Sequence, residues 1–121
     1  ANVFGADIDK NILFSEDRIT THWVDQINKE SIINMYKNFG VEKFDIMIDD
    51  GCHRYEETIN FFENSINKLS DDGVYVIEDI VPSQRKRFLN YFKITNYKVK
   101  IINFHRPGNY LSSNCLITLR K

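Results

Sequence analysis

Apolar residues fall in short blocks along this chain, and the spacing inside each block identifies an element. Phe44-Asp45-Ile46-Met47-Ile48 is mostly apolar and stops at Asp49-Asp50-Gly51-Cys52-His53, the pattern of a strand buried on both faces and ended by an Asp-Gly turn. Val74 to Ile80 repeats the design: Asp72-Gly73 reads as a turn leading in, four apolar residues follow, and then Glu78-Asp79. Val3 to Asp7 is a shorter strand with Asp7 and Asp9 at its end, and Ile19 to Val24 a weaker one ending at Asp25-Gln26. Asn11 to Arg18, between them, is polar enough for a loop or a short helix.

Helical spacing fills the intervals. Ser31 to Phe39 places Ile32, Tyr36 and Phe39 on one face, with Gly40 suited to a left-handed C-cap. Tyr55, Ile59, Phe62, Ile66 and Leu69 recur at steps of four and three, leaving Glu56, Glu57, Glu63 and Lys68 off the stripe. Pro82 suits the first turn of a third helix whose apolar side is Phe88, Leu89 and Phe92. Two final strands, Tyr97 to Phe104 and Cys115 to Leu119, are joined through the turn-like His105-Arg106-Pro107-Gly108-Asn109. Strands alternating with helices predict an α/β fold of one domain, residues 1–121, with a mostly parallel sheet and an antiparallel hairpin at its C-terminal edge. Ligands of such sheets bind beyond the carboxyl ends of the strands, so Asp7, Asp25, Asp49, Asp50, Glu78 and Asp79 are expected around one cleft.

Composition narrows the partners. A formal net charge of −1 gives no reason to expect a nucleic-acid surface, no apolar run is long enough to span a bilayer, and the chain opens on no basic-then-apolar signal; the cytoplasm is the default expectation. Cys52 and Cys115 are too few and too far apart for a disulfide framework or a four-ligand zinc site, and read as free thiols.

The run Ile48-Asp49-Asp50-Gly51-Cys52-His53, the helix after it, and Gly73 to Asp79 together resemble the metal-dependent, S-adenosylmethionine-dependent O-methyltransferases that modify sugar hydroxyls in macrolide antibiotics, with relatives among cephalosporin hydroxylase-like proteins. Phe4 to Asp9 and Val24-Asp25-Gln26 are similar to that family's second and third strand motifs, so the resemblance covers residues 3–80. It implies a Rossmann-like class I methyltransferase sheet, with Asp50, Glu78 and Asp79 holding Mg2+ and His53 acting as general base on a sugar or polyol hydroxyl. Asp7 would meet the ribose of S-adenosylmethionine, with Asp9 less favoured, and Asp25 and Gln26 would border its adenine. Carboxylates on adjacent strands roughly 4.8 Å apart can converge on one hard cation, and an alcohol becomes a competent nucleophile only as its proton leaves. Cys52 stands where the family usually has serine.

In that family a first strand lies between the second and fourth, followed by a Gly-rich loop. The five glycines here, Gly5, Gly40, Gly51, Gly73 and Gly108, never share a loop. The resemblance therefore implies the carboxyl-terminal part of a methyltransferase domain, incomplete at its N-terminus, weak in cofactor binding and inactive alone. Strands Val3 to Asp7 and Phe44 to Ile48 would each lack a neighbour; they are expected to pair directly, admit a second chain, or rearrange, and association with another copy is favoured.

Simpler explanations exist for every motif taken singly. Asp-Asp-Gly is commonly a plain turn and Glu78-Asp79 a solvated strand end; it is their combination with His53 that points to a site. His22 reads as structural within a weak strand, and His105 as a turn neighbour, although His105 and Arg106 could reach a substrate from the last loop. Arg85, Lys86 and Arg87 read as a solvated helix face. A receiver domain would carry its acid pair on the first strand, and a haloacid-dehalogenase-like phosphatase would follow Asp7-Ile8-Asp9 with a hydroxyl residue that Lys10-Asn11 does not supply. A non-catalytic Rossmann-like module mediating association remains the alternative.

Overall fold

The computed structural model describes residues 1–104 and 115–121, and builds them into two sheets. The first contains β1 (Val3–Asp7), β2 (Ser15–Glu16) and β3 (Ile19–Trp23) in the order β1-β3-β2, with β1 and β3 parallel. The second contains β4 (Phe44–Asp49), β5 (Leu69–Ile77), β6 (Lys98–Asn103) and β7 (Cys115–Arg120) in the order β4-β5-β7-β6. Here β4 and β5 run parallel, while β7 is antiparallel to both β5 and β6. The antiparallel C-terminal edge is as expected; β2 lies in the Asn11 to Arg18 stretch expected as loop or short helix, behind a 3-10 turn at Lys10–Ile12, and pairs antiparallel with the predicted strand β3. The turn expected at His105 to Asn109 lies outside the described residues.

Local chemistry explains where the helices begin and end. α1 (Lys29–Phe39) starts two residues before the predicted Ser31, because the Asn28 side chain accepts hydrogen bonds from the amides of Glu30 and Ser31. It stops at Gly40, whose φ of 66° lets its amide reach back to the Tyr36 carbonyl. α2 (Tyr55–Ser65) is shorter than its apolar stripe: a 3-10 turn at Ile66–Lys68 follows, and Leu69 opens β5 instead of closing the helix. α3 (Pro82–Phe92) begins on its proline.

The second correction concerns Asp72-Gly73. β5 runs through this pair, and the register with β4 steps from Phe44↔Leu69 to Ile46↔Val74, two residues on one strand against five on the other. The Asp-Gly pair thus sits in an irregularity inside a strand and is no turn between elements. Pairing of Leu69 with Phe44, and its complete burial, outweigh the local turn preference.

Phe62 of α2 lies near the centre of the core, its ring edge-on to Tyr75 at 5.2 Å and to Phe92 at 5.1 Å. A second aromatic group joins the two sheets: Phe4 of β1 meets Phe39 at 5.2 Å and Phe44 of β4 at 5.4 Å, with Tyr36 against Phe44. β1 and β4 themselves do not pair. Among the described residues each has a single partner strand, so the sheet foreseen as one is divided, and direct pairing of these two strands is excluded as the answer to the missing neighbour. Among the described residues no helix is long and apolar enough to cross a membrane.

Two stability measurements follow. Gly40→Ala should cost about 1 kcal/mol, because alanine meets the left-handed penalty at the α1 C-cap; an unchanged urea midpoint would contradict the cap. Burial pushes the Tyr36 hydroxyl up to about 12, with the Asp49 charge adding to the rise. An unfolded tyrosine titrates near 10, so this group's contribution to stability is complete below about pH 10 and is lost as pH climbs toward 12. Tyr36→Phe should remove about 2–3 kcal/mol of that alkaline loss, read from urea midpoints taken across the window.

Candidate functional site

Parallel pairing of β4 with β5 sets Asp49 level with Ile77, so the residues that follow each strand emerge at the same edge. The pairing continues one step further, since the Glu78 amide donates to the Asp49 carbonyl at 3.0 Å. Beyond it, Asp50, His53 and Asp79 each offer a ligand atom, and these atoms lie within 4.8 Å of one another. His53 Nε2 stands 3.9 Å from Asp50 Oδ1, wider than a hydrogen bond, and among the described residues that nitrogen has no hydrogen-bond partner.

The backbone of this cluster is strained. Three non-glycine residues among those described have positive φ, and two of them are His53 at 55° and Asp79 at 50°. Such conformations cost of order 1–3 kcal/mol each and persist only where surrounding structure imposes them. What imposes the loop here is a set of hydrogen bonds around Asp49. Its Oδ1 accepts from Gln26 Nε2 at 2.7 Å and from the Gly51 amide at 3.2 Å, and the Cys52 amide donates to Gln26 Oε1 at 3.0 Å. Asp49 is only 4% exposed and its Oδ2 has no hydrogen-bond partner. Burial pushes its carboxyl up to about 6, and the Gln26 and Gly51 donors pull it partly back.

A cavity of about 680 Å³ opens between β1 and β4, lined among others by Asp7, Asp25, Gln26, Asp49 and Asp50. The structure therefore brings the predicted cofactor residues Asp7, Asp25 and Gln26 to one hollow with Asp50. It brings Asp50, His53 and Asp79 together at one point, and it leaves Glu78 outside that trio, half-buried beside it. Asp7 Oδ1 accepts from the Asp9 amide and Asp25 Oδ1 from the Ile27 amide, so each holds its own turn. Asp49 was expected only as one of the acids around the cleft, and Asn60, whose Nδ2 donates to the Gln26 carbonyl at 2.6 Å, was given no role from the sequence; nothing in its spacing distinguishes it from a helix surface.

Of the side chains given no part in the chemistry, His22 is packed, and Arg87 engages a neighbouring helix where a solvated face was expected. His22 packs its ring edge-on against Phe39, and Arg87 pairs with Glu56 and stacks over Tyr55, tying α3 to α2. Cys52 is exposed, Cys115 buried, and both are free thiols. His105 and Arg106 lie outside the described residues.

No protein-family model matches the chain. It is 35% identical over 78 residues, 64% of its length, to demethylmacrocin O-methyltransferase of Streptomyces fradiae. Over 81 residues, 67% of its length, it is 32% identical to the 8-demethyl-8-alpha-L-rhamnosyl tetracenomycin-C 2'-O-methyltransferase of Streptomyces olivaceus. Its homologues are O-methyltransferases. The chain spans 19% and 21% of the length of these two relatives. Among solved structures, MycE methyltransferase from the mycinamycin biosynthetic pathway, in complex with Mg and SAH, superposes with a TM-score of 0.70 at 24% identity, covering 99% of this chain and 36% of that one. An rRNA-methylase structure from Clostridium thermocellum gives 0.68 at 18% identity over 99% of this chain and 72% of that one. The fold is that of the class I methyltransferases, with mixed parallel and antiparallel strands.

The strain at the cluster separates backbone from side chain. His53→Gly and His53→Ala both remove the imidazole, yet the glycine variant should be about 1 kcal/mol more stable, because only it accepts φ near 55° without penalty. Equal unfolding midpoints would show that the loop relaxes when the ring is gone.

Proposed function

We propose that the intact protein is a magnesium-dependent O-methyltransferase that takes its methyl group from S-adenosylmethionine and delivers it to a sugar or similar polyol hydroxyl. The observation that carries this reading is the meeting of Asp50, His53 and Asp79 at the carboxyl ends of two parallel strands, in a chain whose homologues are O-methyltransferases.

The donor set suits a hard cation: exposed carboxylates follow two strand ends, and Glu78 precedes Asp79 in the chain. Asp50, Asp79 and Glu78 would hold the metal, which when bound supplies polarisation of the acceptor oxygen. The remaining work belongs to the chain's own residues. His53 takes the acceptor proton at a ring nitrogen that no hydrogen bond occupies among the described residues, while its strained backbone fixes the direction from which the ring approaches. Asp7 and Asp25, lining with Gln26 the cavity that ends at Asp50, are the candidates to border the cofactor's ribose and adenine. This arrangement would put donor and acceptor on either side of one carboxylate, and in-line methyl transfer needs such positioning.

Copies of the chain are further proposed to associate through the unpaired edges of β1 and β4; a monomer in solution at micromolar concentration would overturn this.

Methyl transfer to a panel of sugars, with and without chelator, tests the reading. Activity indifferent to metal would remove the cation's role, and no transfer to any polyol would favour an association module. His53→Ala should lower turnover ~10²–10⁴-fold while leaving the dissociation constant for S-adenosylmethionine within a few-fold of the parent.

A further inference from the structure

We infer that Gln26 is a positioning residue: its carboxamide, clamped to Asp49, holds the Asp50-to-His53 loop in the geometry that presents Asp50 and His53 to Asp79. The inference rests on the reading of that cluster as the metal and base site, and it changes the part played by Gln26 within it.

Both ends of the amide are committed to the loop. Nε2 donates to Asp49, just before Asp50, and Oε1 accepts from the amide of Cys52, just before His53. The side chain thus holds the Asp49 carboxylate on one side of Asp50-Gly51 and the Cys52 backbone on the other, with one Nε2 hydrogen outside this grip. Its own backbone is held in turn, because Asn60 of α2 donates to the Gln26 carbonyl. Gly51 makes the closure possible: a Cβ there would run into the Gln26 carboxamide. The loop has few other restraints. Asp50, Gly51 and Cys52 are exposed, and Arg54, at the N-cap of α2, makes no side-chain capping bond. A left-handed His53 needs a surrounding that imposes it, and these bonds supply one.

The chemistry selects an amide. Glutamate at position 26 keeps the acceptor for Cys52 but sets a second carboxylate against buried Asp49, and asparagine is one methylene too short to reach both partners. Asp49→Asn, by contrast, retains an acceptor oxygen for Gln26 and Gly51.

The experiment measures Mn2+ affinity, turnover, S-adenosylmethionine affinity and hydrogen exchange of the Cys52 amide in the intact protein. Gln26→Ala should weaken Mn2+ binding and lower kcat by tenfold or more, change S-adenosylmethionine affinity less than threefold, and free the Cys52 amide to exchange. Gly51→Ala should weaken Mn2+ binding in the parent but add nothing in the Gln26→Ala background, since the group it strikes is gone. Asp49→Asn should stay within threefold of the parent for Mn2+, where Asp49→Ala does not. Loss of S-adenosylmethionine affinity with Mn2+ affinity and kcat intact would overturn the inference in favour of an adenine contact, and additive effects of the two substitutions would also overturn it. A parent protein that binds no Mn2+ overturns the metal reading; in that case exposure of the Cys52 amide in Gln26→Ala still supports the clamp, and unchanged protection overturns it.

Discussion

The parallel register between β4 and β5 decides what the rest of the molecule can do, because it makes two strands end at the same height and turns two separate acidic sequences into one edge. A slip of one residue would send the side chains of β4 to opposite faces, exposing Met47 and Asp49 and burying Ile46 and Ile48. The register is secured on one side by Met47 and Tyr75 in the core, and beyond the strand by the bond from the Glu78 amide to the Asp49 carbonyl. The irregularity at Ser70 to Gly73 absorbs the extra residues of β5 before the paired stretch begins, so the ends stay level.

Across the other edge of β4 the structure is held differently. No ladder links β4 to β1; an aromatic group of Phe4, Tyr36, Phe39 and Phe44 closes one end of the interval, and the Gln26 carboxamide bridges the other. Between these ties lies the cavity. Apolar contact resists separation of the sheets without specifying a precise angle, whereas the amide bridge is directional, so the polar end is the end at which geometry is controlled. That is also the end where the strained residues His53 and Asp79 are found.

Similarity to methyltransferases of known structure extends over nearly the whole chain, while the curated relatives are matched over about a fifth of their length. What points to chemistry is the cluster itself: two carboxylates and an imidazole within reach of one another, and positive φ at two of the three residues.

Sequence alone determined the elements whose signals are local. The stripe of α1, its glycine stop, the proline start of α3 and the acid-ended strands β1, β3 and β4 follow from periodicity, capping and turn chemistry, which act within a few residues. The runs Ile48 to His53 and Gly73 to Asp79 are each contiguous, and so Asp50, His53, Glu78 and Asp79 were legible as a group through the resemblance they carry. Only tertiary structure decided the end of α2 and the fate of Asp72-Gly73, because Leu69 satisfies a helical stripe and a buried strand equally well until Phe44 pairs with it. It alone divided the sheet in two, a matter of which backbones meet. It alone turned Gln26 toward Asp49 and Cys52, residues more than twenty positions away, since a side chain's partner across such a distance is set by packing and leaves no periodic trace in the sequence.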